Sequence, residues 1–190
     1  MTALIKIENL HYRPESYPTE KPDILRGISL DFNEGDFIAV IGKNGSGKTT
    51  LIKHLNCLLL PTQGRVLIDG VDSHAPDHQR IICGRIGMVF QNPADQIVAS
   101  TVEEDVAFGL ENANLPSEEI RQRVYEQLDS VDLLKDAKRP PHLLSGGQIQ
   151  RLALAGVLVR QPSVILFDEP TSMLDPATRE AFMTRIRELH

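Results

Sequence analysis

The chain has 190 residues and a formal net charge of −6 at pH 7, with 41% hydrophobic and 24% charged residues. This length suits one domain with a well-buried core and is short for two independent domains. The acidic balance argues against a broad nucleic-acid-binding surface, so we predict no nucleic-acid partner. The longest apolar run, residues 152–159, is far shorter than a membrane span, and the first residues show no export signal.

The first third of the sequence predicts short strands separated by turns. Apolar runs place strands at residues 4–7, 28–32 and 37–41, with proline- and glycine-containing turns between them. A helix is expected over residues 48–60, and another strand over residues 64–69. This part of the chain is therefore expected to be mainly β-structure, with one helix.

A phosphate-binding loop lies between the third predicted strand and this helix. Residues 42–49 read GKNGSGKT, which matches G-x-x-x-x-G-K-[ST]. The glycines let successive N–H groups face phosphate oxygens, and the helix that follows adds the positive end of its dipole. Lys48 would reach the β- and γ-phosphates, and the Thr49 hydroxyl would bind Mg²⁺. The expected nucleotide-binding residues are Gly42, Lys43, Asn44, Gly45, Ser46, Gly47, Lys48, Thr49 and Thr50. We therefore expect ATP and Mg²⁺ as cofactors.

Strands alternate with helices in the second half of the sequence. Strands are predicted at residues 85–90 and 163–167, on either side of a helical stretch. Thr101 and Glu104 form a capping-box pattern at the start of a helix, and Asp175 is the expected N-cap of the last helix. This order indicates an α/β core with a helical insertion.

Two carboxylates follow the strand predicted at residues 163–167. Asp168 and Glu169 lie at its carboxyl end, where a strand could also simply reach solvent through acidic residues. In a protein with a phosphate-binding loop, the first acid holds Mg²⁺ and the second acts as general base on the attacking water. The loop favours this catalytic interpretation.

A second anion site is predicted at residues 144–148, which read LSGGQ. Ser145 is the expected N-cap of a helix, and the two glycines leave backbone N–H groups open. With the phosphate-binding loop before it and VILFDEP after it, the sequence resembles ATP-binding-cassette (ABC) ATPases over nearly its whole length. The resemblance implies an α/β P-loop NTPase fold: a RecA-like core, an N-terminal antiparallel β subdomain and a helical signature subdomain.

The resemblance also implies domain limits. Residues 1–190 would form one incomplete ABC domain. Residues 1–91 and 151–190 would be the ATP-binding core with the β subdomain, and residues 92–150 the helical subdomain.

The resemblance assigns roles to further residues. Gln91 looks like the Q-loop glutamine, which contacts Mg²⁺ and water. The implied catalytic residues are Lys48, Gln91 and Glu169. The implied metal ligands are Thr49, Gln91 and Asp168. Tyr17 fits the adenine-stacking aromatic by its Tyr-Pro context, with Tyr12 as the alternative. The family's subunits pair head to tail, which implies a homodimer or heterodimer whose second subunit closes the ATP site with the residues Ser145, Gly146, Gly147 and Gln148.

Residues 91–112, QNPADQIVASTVEEDVAFGLEN, resemble the ATPases of energy-coupling factor (ECF) importers for vitamins or transition-metal ions. The resemblance implies an ATP-hydrolysing subunit, peripheral on the cytoplasmic face of the membrane, with a transmembrane coupling protein and a separate substrate-capture membrane protein as partners. The alternatives are a soluble ABC ATPase and a nucleotide sensor without turnover. Taken singly, the acids Asp95, Glu103, Glu104 and Asp105 would be a solvated face over an apolar core.

Two further expectations concern the chain end and the thiols. The family pattern needs another strand and a switch histidine after the last helix, and His190 does not fit that role. We therefore expect a truncated cassette that binds nucleotide weakly and hydrolyses it poorly. Cys57 and Cys83 are expected to be buried reduced thiols.

Overall fold

A computed structural model describes residues 4–18, 20–76, 82, 84–111, 115–172 and 174–189. Its contacts divide the chain into two units, residues 1–84 and 85–190, each with its own sheet. The predicted division into an ATP-binding core and residues 92–150 stays a prediction. Across the described residues, no helix has both the length and the apolar character needed to cross a membrane.

The first unit contains an antiparallel four-stranded sheet in the order β2-β1-β3-β4. The strands are β1 (Ile5–Tyr12), β2 (Leu25–Phe32), β3 (Gln63–Ile68) and β4 (Val71–Asp72). Alternation along β1 and β3 buries one face, whose core side chains are Ile5, Ile7, Val66 and Ile68. The antiparallel β subdomain is therefore confirmed, and β1 and β2 are longer than predicted.

Gly64 of β3 packs against an irregularity in β1. The register of β1 shifts after Ile7, and Asn9 adopts a left-handed φ of 47°. A Cβ built at Gly64, whose φ is +78°, would overlap the backbone oxygens of Glu8 and Asn9. The close approach of two strand backbones therefore requires glycine here.

We expect Gly64→Ala to lower the free energy of unfolding by about 3 to 5 kcal/mol, because left-handed strain adds to a backbone clash. Gly35→Ala is the matched control, since Gly35 has the same φ of +78° but no atom within 4 Å of a built Cβ. The control should lose about 1 to 2 kcal/mol. Urea unfolding of the intact protein measures both, and equal losses would contradict the clash.

Helix α1 (Lys48–Leu55) begins as predicted but ends five residues before the expected position 60. Asn56 closes it, and Cys57 has a left-handed φ of 58° that cannot continue a helix. Cys57 is buried, as expected, whereas Cys83 lies outside the described residues.

The buried side of α1 carries His54. Its Nδ1 donates to the Thr50 carbonyl at 2.7 Å, and its ring meets the ring of Tyr12 edge-on with centroids 4.6 Å apart. Burial lowers the pKa of His54, so the neutral imidazole is the form that packs here. His54 therefore ties the end of β1 to the helix that follows the phosphate-binding loop.

The prediction of a strand at residues 37–41 is wrong. These residues belong to neither sheet, and Phe37, Ile38, Val40 and Ile41 are 55%, 48%, 45% and 92% exposed. An apolar run shows only that its side chains suit a buried strand. The strand itself also needs a neighbour for its ladder of hydrogen bonds, and neither sheet supplies one.

The second unit joins a parallel strand pair to a group of helices. Strands β5 (Ile86–Val89) and β6 (Val164–Phe167) pair in parallel, with Val89 opposite Phe167. The helices are α2 (Val102–Phe108), α3 (Ser117–Ser130), α4 (Gly146–Leu158) and α5 (Pro176–Glu188). Short 3₁₀ turns occupy Pro93–Asp95, Leu134–Asp136 and Pro141–Leu143. Parallel strands joined through helices confirm the predicted α/β class.

Helix α4 connects two apolar cores. One face packs with α2 and α3 around Val102, Val106, Leu128 and Leu152. Another packs with β5 and α5 around Val89, Leu154, Phe182 and Ile186. Because α4 begins at the LSGGQ segment, this segment is fixed to both the helical group and the parallel strands.

The predicted caps form as expected, but one acid differs from its expected place. Thr101 and Glu104 make both bonds of a capping box. Asp105, expected on a solvated face, is only 9% exposed, and its Oδ1 accepts from the N–H groups of Val98 and Ala99 at 2.8 and 3.2 Å. Burial raises the pKa of Asp105. Through its two hydrogen bonds, the Asp105 side chain holds the loop before α2 in place.

Candidate functional site

The phosphate-binding loop lies at the start of α1 in the first unit. The Lys48 ammonium donates to the carbonyls of Gly42 and Lys43 at 3.0 and 3.3 Å, so it lies over the loop. Gly47 has a left-handed φ of +95°, and a Cβ built on it would lie 3.0 Å from Leu25 Cδ2. Both the backbone conformation and the contact with β2 therefore require glycine at position 47.

The two tyrosines considered for adenine stacking lie in different surroundings of the same unit. Tyr12 ends β1 and packs against His54 of α1. Tyr17 lies in the loop between β1 and β2, with Lys21 Nζ 5.9 Å from its ring centroid. Both tyrosines are partly exposed, but the ring of Tyr12 is engaged with the helix.

In the second unit, the parallel strands bring three predicted site residues to one sheet edge. The Asp168 N–H donates to the Val89 carbonyl at 3.1 Å, which extends the pairing of β5 and β6. Asp168 is buried at 5% exposure. Gln91 Nε2 donates to Glu169 Oε2 at 3.4 Å. The carboxyl ends of parallel strands are where α/β proteins place their ligands.

Glu169 has a strained backbone. Its φ of 49° lies in the left-handed region, which costs a non-glycine residue of order 1 to 3 kcal/mol. The turn is held by the Ser172 N–H, which donates to the Glu169 carbonyl at 3.1 Å. Strain of this kind is maintained where the direction of a side chain matters, which suits a carboxylate aimed at a reacting atom.

Gln96 is a positioning residue that the sequence interpretation missed. Its Oε1 accepts from the Phe90 N–H at 3.4 Å, and its Nε2 donates to the Ala153 carbonyl of α4 at 3.1 Å. It therefore links the residue before Gln91 to the helix that begins at LSGGQ. The signal was an amide within the segment after Gln91, but sequence spacing could not show where its two hydrogen bonds go.

The LSGGQ segment forms a capping box at the start of α4. The Gln148 N–H donates to Ser145 Oγ at 3.3 Å, and the Ser145 N–H donates to Gln148 Oε1 at 2.9 Å. Gln148 Nε2 also donates to Asp136 at 3.0 Å. The side chain of Gln148 is thus bonded within its own chain and holds the segment in place.

The same segment packs closely on the start of α5. A Cβ built at Gly147 would lie 2.9 Å from Thr178 Cγ2. Asp175 caps this helix by accepting from the N–H groups of Ala177 and Thr178, each at 3.1 Å. The hydrogen bond from the Thr178 hydroxyl holds the pKa of Asp175 below its usual value. Only glycine at position 147 permits this packing without displacing Thr178.

The predicted site residues therefore fall into two groups. The phosphate-binding loop and Tyr17 belong to residues 1–84, and the remaining site residues belong to residues 85–190. Within the second group, Gln91 and Glu169 are in contact, and Asp168 is adjacent.

Comparison with known proteins identifies the family. A family model for ABC transporters matches residues 25–172. The energy-coupling factor transporter ATP-binding protein EcfA1 of Symbiobacterium thermophilum is 54% identical over 166 residues, which cover 87% of this chain and 58% of the relative. EcfA1 of Caldanaerobacter subterraneus is 46% identical over 190 residues, covering 100% and 69%. The cobalt import ATP-binding protein CbiO of Syntrophus aciditrophicus is 45% identical, covering 98% and 67%.

Solved structures agree with these matches. The structure of cbiO1 from Clostridium perfringens, part of the ABC transporter complex cbiONQ, superimposes with a TM-score of 0.86 at 36% identity, covering 100% of this chain and 74% of that one. The dimeric ABC transporter cassette MJ0796 superimposes with a TM-score of 0.84 at 34% identity, covering 97% and 82%. With the motifs in their family order, the chain belongs to the ABC transporter family, among its energy-coupling factor transporter ATP-binding proteins.

Proposed function

We propose that the chain is the ATP-binding and ATP-hydrolysing part of an ECF-type importer, in which hydrolysis energises a separate transmembrane protein. The observation that carries the hydrolytic part is the contact between Gln91 and Glu169 beside the buried Asp168, at the carboxyl ends of two parallel strands. Relatives 46% to 54% identical are ECF transporter ATP-binding proteins, which supports the transport part.

ATP binding is proposed at the phosphate-binding loop. Backbone N–H groups of residues 42–50 and the start of α1 would hold the phosphate oxygens. The Lys48 ammonium, already lying over this loop, would neutralise the β- and γ-phosphates. For adenine we propose Tyr17, because the ring of Tyr12 is engaged with His54.

Mg²⁺ is the metal that the implied ligands fit. Thr49, Gln91 and Asp168 offer a hydroxyl, an amide and a carboxylate oxygen. Mg²⁺ prefers hard oxygen ligands and is often held by one or two carboxylates together with substrate phosphates. When bound, the ion supplies charge neutralisation for the transferred phosphoryl group.

The proposed reaction is in-line attack of water on the γ-phosphorus of ATP. Glu169 orients the water and accepts its proton as the new P–O bond forms and the bond from the γ-phosphorus to the bridging oxygen breaks. The products are ADP and inorganic phosphate. The Gln91 amide, bonded to Glu169, holds that carboxylate in place.

A second subunit would complete the site. We propose that Ser145, Gly146 and Gly147 of one subunit face the ATP held by the loop of another, while Gln148 keeps the segment in shape. The dimeric arrangement of the similar cassette MJ0796 supports such pairing. The partner is a second copy or a closely related ATPase.

The proposed membrane partners are a transmembrane coupling protein and a substrate-capture protein, with the ATPase peripheral on the cytoplasmic face. The transported substrate would be a vitamin or a transition-metal ion, in line with the cobalt import relative and with cbiO1 in the complex cbiONQ. The loop before α2 and the end of α2 expose Val98 and Phe108, at 66% and 56%, as apolar contacts for such a partner.

We expect the double substitution of Val98 and Phe108 by aspartate to lower co-purification with membrane subunits at least about tenfold, because two apolar contacts would be replaced by charges. Binding of MgATP should be unchanged. The control is Leu134→Asp, at a residue that is 41% exposed on another part of the same unit. Pull-down of the intact protein from membranes, with mass spectrometry of the partners, measures the loss. Recovery of no membrane protein with the wild type would favour a soluble ABC ATPase.

A further inference from the structure

Arg13 holds together the loop between β1 and β2. Its guanidinium donates to the Asp23 carboxylate at 2.6 Å, to the Pro18 carbonyl at 3.1 Å and to the Lys21 carbonyl at 2.7 Å. These three acceptors lie at different places along the loop. A planar guanidinium with five fixed N–H donors can serve all three at once, which a lysine ammonium on a flexible stem cannot do with the same geometry.

The loop that Arg13 holds in place contains Tyr17. The Tyr17 N–H donates to the Pro14 carbonyl at 2.9 Å, and the Lys21 N–H donates to the Pro18 carbonyl at 3.2 Å. The Lys21 ammonium lies 5.9 Å from the centroid of the Tyr17 ring. Arg13 therefore bonds to the carbonyls at both ends of the turn closed by Pro18 and Lys21, which follows Tyr17 directly.

The same loop leads into β2 at a point beside the phosphate-binding loop. Asp23 is followed by Ile24, whose N–H donates to the Tyr12 carbonyl at 2.9 Å and closes the base of the loop. A Cβ built at Gly47 would lie 3.0 Å from Leu25 Cδ2 and 3.4 Å from the Ile24 carbonyl oxygen. The segment that Arg13 fixes through Asp23 thus touches the phosphate-binding loop two residues later.

The ion pair itself contributes little to general stability. The side chains of Arg13 and Asp23 are 30% and 27% exposed, so solvent screens their attraction. The Arg13 hydrogen bond holds the pKa of Asp23 below its usual value, and His11 Nδ1 lies 3.6 Å from the same carboxylate. The carboxylate is therefore ionised at neutral pH. What the Arg13 contacts do is fix the position of the loop between β1 and β2.

We propose that Arg13 is a positioning residue for recognition of the nucleotide base: it sets the place of Tyr17 relative to the phosphate-binding loop. This inference rests on the proposed function, in which the loop binds the phosphates and Tyr17 stacks on adenine. The binding free energy of the nucleotide has one contribution from the base and one from the phosphates, and only the first depends on Arg13. Loss of Arg13 weakens binding of a ligand that has a base and leaves binding of the bare phosphate chain unchanged.

The test compares MgATP with inorganic tripolyphosphate, which has three phosphates and no base, by calorimetric titration of the intact protein. We expect Arg13→Gln to weaken ATP binding about fivefold or more, because base–aromatic stacking contributes about that much or more to binding. The dissociation constant for tripolyphosphate should be unchanged, which also shows that the variant is folded. Asp23→Asn should give the same pattern. Arg26→Gln, at an exposed arginine of β2, should change neither ligand.

A double-mutant cycle shows whether Arg13 acts through Tyr17. Tyr17→Ala alone should weaken ATP binding, and adding Arg13→Gln to it should cause no further loss. Equal weakening of both ligands by Arg13→Gln, a full additional loss in the Tyr17→Ala background, or an unchanged ATP affinity of Tyr17→Ala would each overturn the inference. A wild-type protein that binds neither ligand would instead overturn the proposed function, and the inference with it.

Discussion

Replacing Lys48 with alanine should weaken MgATP binding roughly 10- to 100-fold, because a charged hydrogen-bond donor to the phosphates is lost. The Lys48 ammonium already lies over the loop, bonded to the carbonyls of Gly42 and Lys43. No neighbouring backbone N–H group can replace its positive charge. Calorimetric titration of the intact protein with ATP in the presence of Mg²⁺ measures the change.

Lys53→Ala is the matched control for this experiment. Lys53 lies in the last turn of the same helix α1, so its substitution removes the same charge from the protein. It should leave ATP affinity within about twofold, since this partly exposed charge lies several residues from the loop and is screened. Equal weakening by both substitutions would mean that net charge, and not the position of Lys48 over the loop, governs binding.

Glu169→Gln should lower the rate of phosphate release by roughly 10²- to 10⁴-fold, the range for removal of a general base. The substitution keeps the size of the side chain and an oxygen that can accept from Gln91, but it removes the group that takes the proton from water. ATP affinity should stay close to that of the wild type. The expected result is therefore a protein that binds ATP and scarcely turns it over.

The control for Glu169 is Glu180→Gln, the same chemical change at an exposed position of α5. Its turnover should match the wild type. Phosphate release and ATP binding are measured on the same preparation of the intact protein. A Glu169→Gln variant with undiminished turnover would remove this residue from the proposed mechanism, whichever way binding changed.

The sequence was sufficient for features that depend on local chemistry. The start of α1 at Lys48, the capping box of Thr101 and Glu104 and the N-cap at Asp175 each rest on residues a few positions apart. The fold class and family were likewise predicted from motifs and their order and are confirmed. Local patterns of this kind hold because their hydrogen bonds form within one turn of chain.

Features that need a distant partner were missed or wrong. The apolar run at residues 37–41 predicted a strand, but neither sheet pairs with it. Asp105 was expected in solvent, and its carboxylate instead accepts two N–H groups of the preceding loop. Gln96 bonds to α4, whose residue Ala153 is far along the chain. In each case the outcome depends on tertiary contacts, which residue type and spacing do not encode.

The loop containing Tyr17 shows the same limit for the candidate site. A Tyr-Pro pair suggested the base-stacking residue, but not how a long connection between β1 and β2 would hold it. The structure shows that one guanidinium bonds to three acceptors across that connection. Arginine at position 13 looks like an ordinary surface charge in the sequence, and only the fold shows what it contacts.

The most direct test of the central claim is phosphate release from ATP by the intact protein, purified with its associated membrane subunits and assayed with and without Mg²⁺. We predict steady release that requires Mg²⁺ and is lost in the Lys48→Ala variant. ATP binding without phosphate release in the assembled complex would contradict this account and would indicate a nucleotide sensor instead.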